Sequence, residues 1–134
     1  LPHPLPHEDV HIRLGISEVH GIGVFAIRPI AEGTNIFPND SQEIRWIDAE
    51  ALERSGPDEP ARRFYADFGI RRGDRIGCPR SFENLTPSWY LNEPPEGTRP
   101  NVRADPNFSF FASRDIEAGE ELTIDYASFS EPPG

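Results

Sequence analysis

The sequence predicts a mainly β domain with short helices, and three observations carry that reading. Runs rich in β-branched and aromatic residues occur at 10–16, 24–30, 108–112 and 121–126, a composition that suits a pleated, half-buried ribbon. A pattern near the N-terminus, Phe25, Ala26, Arg28, Ile30, Gly33 and Ile36, recurs at constant offset as Phe111, Ala112, Arg114, Ile116, Gly119 and Leu122. Two copies are too few for a solenoid, so the echo predicts two related β units folding onto each other. Between them only two stretches read as helix.

The length of 134 residues fits one domain. With 36% hydrophobic and 27% charged residues, the composition is that of a soluble globular protein, and no apolar run approaches a membrane span. The chain begins at Leu1 and has no methionine, so a trimmed start is expected, with a removed targeting segment left open. Cys78 stands alone, which excludes an intramolecular disulfide and a cysteine-rich zinc site and predicts a reducing, intracellular compartment, cytoplasmic or nuclear. The net charge of -10 repels phosphates, so no direct nucleic-acid partner is expected, and it would steer a basic partner inward. All 13 basic residues are arginine. A GC-rich genome explains that bias, and so does a need to avoid lysine.

Taken in order, residues 1–9 alternate proline with other residues and predict a mobile arm. His3, His7 and His11 are four apart, but Pro4 and Pro6 prevent the helix that would stack them, so no metal site is expected. The domain proper is placed at 10–130 and a tail at 131–134. The first two strands are expected at 10–16 and 24–30 with Gly21, Ile22 and Gly23 between them, followed by a hairpin turning at Gly33 into 35–37. Asp48 is positioned to cap a helix at 49–54, stopped by Gly56 and Pro57, and Pro60 to start another that runs to Phe68 before Gly69. Residues 70–87 predict one or two short strands with loops. The aromatic run Trp89, Tyr90, Leu91, Asn92 then meets Pro94 and Pro95, a break that implies a held backbone geometry. The last strand, closing on Tyr126, is expected to form a ribbon with 108–112 around the turn at 115–120.

The order of His20-Gly21-Ile22-Gly23-Val24-Phe25-Ala26, Tyr90-Leu91-Asn92, Pro100-Asn101 and Gly119-Glu120-Glu121-Leu122-Thr123-Ile124-Asp125-Tyr126 resembles a SET domain. The glycine pair lacks the third glycine and the strand-to-helix setting of a dinucleotide loop, and alone reads as a tight turn. The resemblance implies a SET-type β-clip fold with a C-terminal pseudoknot, and transfer of a methyl group from S-adenosylmethionine to the side-chain amine of a protein lysine. It implies that Gly21, Ile22 and Gly23, with His20, Tyr90, Asn92 and Phe129, bind the cofactor. Tyr126 becomes the catalytic tyrosine, Ile124 a residue of the substrate channel and Asn101 a support of the knot.

The sequence also departs from the family. Glu93, Pro94 and Pro95 replace the usual His-Ser-Cys after Asn92, and Trp89 stands where arginine is frequent. Glutamate lacks the donor that an imidazolium offers. The zinc-binding cysteine segment that often follows the domain is absent from this sequence, so no metal is implied; Phe129, a partner subunit as in a homodimer, or the substrate has to close the site. The expected substrate is a basic, lysine-containing protein or peptide, without membrane or nucleic acid. The competing reading is a non-catalytic SET-like β-clip module that binds a basic protein partner through its acidic surface. Under the methyltransferase reading, the missing lysines protect the chain from modifying itself.

Overall fold

A computed structural model describes residues 5–40 and 43–130. His3, the first four residues of the expected arm and the expected tail at 131–134 lie outside the described residues. Residues 6–9 form a turn, and the Glu8 carbonyl accepts from Asn39 Nδ2 at 3.1 Å.

The described chain forms three small sheets. In the first, β1 (Ile12–Ile16) pairs antiparallel with β2 (Ile22–Ala26), and β2 pairs with β8 (Glu121–Leu122). Ile22 and Gly23 are therefore strand residues, opposite Ile16 and Gly15, rather than part of the connecting turn. The turn lies at 17–21, closed by Ser17 N–H donating to the Gly21 carbonyl at 2.8 Å, with Gly21 at φ +52°. Two glycines opposite each other in a pair weaken a sheet unless neighbours cover them. Here Phe25 covers Gly15, where a Cβ would lie 3.0 Å from its ring, and the Glu121 carboxylate covers Gly23.

The second sheet has the order β3 (Arg45–Asp48), β5 (Arg75–Cys78), β4 (Ile70–Arg72). Asp48 ends β3 and caps α1 (Ala49–Arg54), its carboxylate accepting from Ala51 N–H at 2.9 Å. Asp58 caps α2 (Glu59–Phe68), which places Pro60 in the first turn, where its missing N–H costs nothing. Both helices fall where the sequence places them. Strand β3 carries no signal beyond four residues that find their partner about 30 positions later, a length at which periodicity is mute.

The third sheet pairs β6 (Val102–Ala104) with β7 (Phe110–Ala112). The strand expected from Phe108 starts at Phe110. Phe108 is left-handed at φ 60°, in a turn organised by Asp105, whose carboxylate accepts from Asn107 and Ser109 N–H at 2.9 Å each. The ribbon expected between 108–112 and 121–126 does not form, because β7 takes β6 and β8 takes β2.

The two echoing segments instead bond to each other with pseudo-two-fold symmetry. Ile30 and Ile116 exchange N–H···O bonds at 2.8 Å, Gly33 N–H donates to Ala112 O as Gly119 N–H donates to Ala26 O, and Ala112 N–H to Thr34 O as Ala26 N–H to Glu120 O. The local hairpin expected at 31–37 is replaced by this exchange, in which Asn35 bridges Phe111. Val24, Ile30, Ile36, Ile116, Leu122 and Ile124, each no more than 2% exposed, form the core across the symmetry. Each fully buried aliphatic side chain contributes about 1.5–3 kcal/mol of transfer free energy.

Beyond β8 the chain changes partner. Thr123 and Ile124 form parallel bridges with Asn92 and Val102, which flank residues 93–101. Tyr126 is not the end of a strand. It opens a 3-10 turn, Tyr126–Ser128, because the Asp125 carboxylate accepts from Ala127 N–H at 3.0 Å and diverts the backbone from a ladder.

Candidate active site

Two asparagines hold the C-terminal segment in place. Asn101, 2% exposed, accepts from Thr123 N–H through Oδ1 at 2.8 Å and donates from Nδ2 to the Glu121 carbonyl at 2.9 Å. These bonds satisfy backbone groups that a two-residue strand leaves over. Asn92 is 6% exposed, and its carbonyl accepts from Ile124 N–H at 2.9 Å.

The Asn92 side chain reaches the glycine turn. Its Nδ2 donates to the carbonyls of His20 at 3.1 Å and Ile22 at 3.2 Å and to Glu121 Oε2 at 3.0 Å. Glu121 in turn accepts from Ser17 Oγ at 2.7 and 2.9 Å. Ser17 also accepts from Val19 and His20 N–H, so one hydroxyl shapes the turn and holds the carboxylate. The result is a corner rich in carbonyl and carboxylate oxygens, with open space above Gly21.

Leu91 and Glu93, the neighbours of Asn92, line a cavity of about 420 Å³ together with Trp89, Phe108, Phe110, Tyr126 and Phe129, the end of α2 and the start of β4. The Tyr126 hydroxyl donates to the Leu91 carbonyl at 2.7 Å. Burial, then the carboxylates of Glu93 and Glu121, push the phenol up to about 12, so it stays neutral at physiological pH. Phe129 meets Tyr126, Phe108 and Phe110 edge-on at 6.0–6.4 Å. It is anchored where Arg72 Nε donates to its carbonyl and Ser130 Oγ accepts from Arg71 N–H. Trp89 Nε1 is buried without a hydrogen-bond partner among the described residues, which costs about 1–3 kcal/mol.

The residues expected at the site thus fall into two groups joined by one peptide unit. His20, Gly21, Ile22, Gly23 and Asn92 share the glycine corner; Tyr126 and Phe129 share the cavity; Leu91 and Asn92 connect them. Tyr90 instead packs on Phe68 at 5.6 Å and against the core, and Ile124 is 1% exposed within the core and does not line the cavity. Ser17, Leu91 and Glu121 also belong to the site, through contacts that no motif in the sequence marks. Glu121 had a usable signal, since it stands next to Leu122 in an alternating strand and so faces away from the core.

The chain belongs to the SET domain family, whose model matches residues 21–127. Its fold is the SET-type, mainly β fold of the solved structures it resembles. One is a Plasmodium falciparum protein provisionally assigned as a histone methyltransferase, with 19% identity, 85% of this chain and 90% of that chain covered and a TM-score of 0.52. Another is a humanized mutant of the Chaetomium thermophilum Polycomb Repressive Complex 2 bound to an inhibitor, with 23% identity, 90% of this chain covered and a TM-score of 0.59. The match spans only 15% of the length of that second chain. No curated protein matches the sequence.

Proposed function

We propose that this chain transfers a methyl group from S-adenosylmethionine to the side-chain amine of a lysine in a basic protein or peptide. The observation that carries the reading is the Leu91–Asn92 junction: Leu91 O binds the Tyr126 hydroxyl on the cavity side, while the next side chain, Asn92, binds the glycine turn. Asn92 Nδ2 fills the point where His20 O, Ile22 O and Glu121 Oε2 converge, and the second lone pair of each carbonyl is what the glycine corner offers to the ammonium at the amino-acid end of the cofactor. When bound, the cofactor supplies a methyl group on a positively charged sulfur, which a neutral amine can attack.

The chain's own residues have three tasks in that reaction. The apolar cavity walls desolvate the amine, which favours its neutral form, whereas Glu93 opposes that loss of a proton. Tyr126, neutral with a pKa of about 12, is unsuited to act as a general base and serves by orienting the amine through its oxygen. The net charge of -10 draws a basic substrate towards the site.

A non-catalytic module binding a basic partner is the second reading, favoured by Glu93 standing beside Tyr126. Mass spectrometry of lysine-rich peptides incubated with chain and cofactor separates the two. Mass gains of whole methyl groups are expected. Absence of any gain, with no rise in melting temperature on adding cofactor, would leave only the binding module.

A further inference from the structure

Arg72 stands where sheet pairing gives no reason for a cation. It ends the edge strand β4, exposed and directly opposite Arg75 of β5, and like charges facing each other across an antiparallel pair destabilise it. The ion pairs among the described residues belong to Arg54, Arg62 and Arg114. Arg72 turns instead to aromatic residues of other elements. Its guanidinium carbon lies 4.6 Å from the centre of the Phe108 ring and 5.7 Å from that of Trp46, and Nε donates to the Phe129 carbonyl at 3.4 Å. Phe108 and Phe129 line the cavity and Arg72 does not, so any effect it has on the site passes through them. The Phe129 ring in turn meets Tyr126 at 6.0 Å. A planar group with an in-plane N–H can lie on a ring and bond a carbonyl together, which an ammonium does less well. The neighbouring anchor is backbone, Arg71 N–H to Ser130 Oγ at 2.9 Å, and does not depend on the side chain at 72.

We propose that Arg72 is a positioning residue for the site: it holds Phe129 against Tyr126 and Phe108, and the closed wall that results sets how tightly the cavity holds a lysine-bearing peptide. The proposal rests on the proposed function only in taking such a peptide as the occupant; it does not require turnover. Without the guanidinium, the Phe108 ring loses its cation and the Phe129 carbonyl its donor, and residues 126–130 open more often while the core sheet stays as it is.

Hydrogen exchange and peptide titration on the whole chain test this with Arg72→Ala, Phe129→Ala and the double variant. Position 72 is exposed and its replacement removes the repulsion from Arg75, so the fold is expected to survive, as melting curves check. In Arg72→Ala the Phe129 and Ser130 amides, which donate to Tyr126 O at 3.2 and 2.8 Å, are expected to exchange about tenfold faster, the scale of two exposed cation–π contacts, with the amides of β2 unchanged. Arg72→Lys keeps the charge without the plane and is expected to move the same way by less. In calorimetric titrations with a basic peptide carrying one central lysine, each single alanine variant is expected to bind about tenfold more weakly, and the double variant no more weakly than either, because both changes undo the same closure. In turnover the loss is expected in KM with kcat kept, whereas a mere loss of folded chain lowers kcat at constant KM. Unchanged exchange at 129–130, equal acceleration in β2, losses that multiply to about a hundredfold in the double variant, a fall in kcat at constant KM, or a parent that binds no peptide would each overturn the proposal. A parent that transfers no methyl groups while the binding losses stay coupled sinks the proposed function alone, and one that transfers methyl groups while the losses multiply sinks this inference alone.

Discussion

The carboxylate of Glu121 occupies the space that a side chain on Gly23 would need: a Cβ there would collide with Oε2 and press on Ser17. The glycine therefore serves first to seat Glu121, which holds Asn92. Gly23→Ala is expected to displace the carboxylate, cost about 1–3 kcal/mol as an overpacking change, and weaken cofactor binding more than Ser17→Ala does. Denaturant unfolding and calorimetry check both parts.

Asn101, 2% exposed, is the most deeply buried of the buried polar residues among those described. Asn101→Ala leaves Thr123 N–H and the Glu121 carbonyl without their partners, and each buried unpaired group costs about 1–3 kcal/mol. A loss of about 3 kcal/mol is expected by urea titration. A loss under 1 kcal/mol would show that the C-terminal segment is held by its backbone bridges alone.

The two-fold exchange makes a comparative prediction. Gly33 at φ +83° and Gly119 at φ +85° have equivalent partners and nothing within 4 Å of an added Cβ. Replacing either with alanine is expected to cost about 1 kcal/mol, for backbone reasons alone and by the same amount at both sites. Unequal losses in thermal unfolding would mean that the symmetry is not energetic.

Without lysine, few groups titrate between pH 9 and 12. Cys78, 1% exposed, has its thiol pushed up to about 11 by burial, and Tyr126 is pushed up to about 12. Both folded pKa values are raised, so the folded state binds protons more tightly. Their stabilisation is complete below the unfolded values and is lost as pH rises through the folded ones. Stability is expected to fall from about pH 9 upward, by about 3 kcal/mol at most for the thiol, and Cys78→Ala should flatten the slope between pH 9 and 11 in a series of melting curves.

Much of this was legible in the sequence because the signals were local or repeated. Asp48 and Pro60 marked helix starts through capping chemistry that acts within one turn. The echo announced two units folding onto each other, and the paired bonds of Ile30 with Ile116 realise it. What stayed hidden depends on partners far along the chain. β3 exists because β5 pairs with it, and Gly23 lies in a strand because it pairs with Gly15 under the cover of Glu121; the turn at Tyr126 is by contrast a local Asp125 cap that the strand-like composition of 121–126 masks. Ile124 reads as a channel residue by position, yet the parallel bridge of its backbone to Val102 accompanies a side chain placed in the core.

The Tyr126 hydroxyl is held on the Leu91 carbonyl at 2.7 Å, and under the proposed function it orients an amine for methyl transfer. The measurement is methyl transfer to a lysine-rich peptide by the parent chain and by Tyr126→Phe, with cofactor affinity and melting temperature for each. Loss of a contact that matters most in the transition state is expected to lower turnover about a hundredfold or more, with cofactor affinity nearly unchanged and about 1 kcal/mol or less of stability lost. Turnover in Tyr126→Phe close to the parent's, or no turnover in the parent, would contradict it.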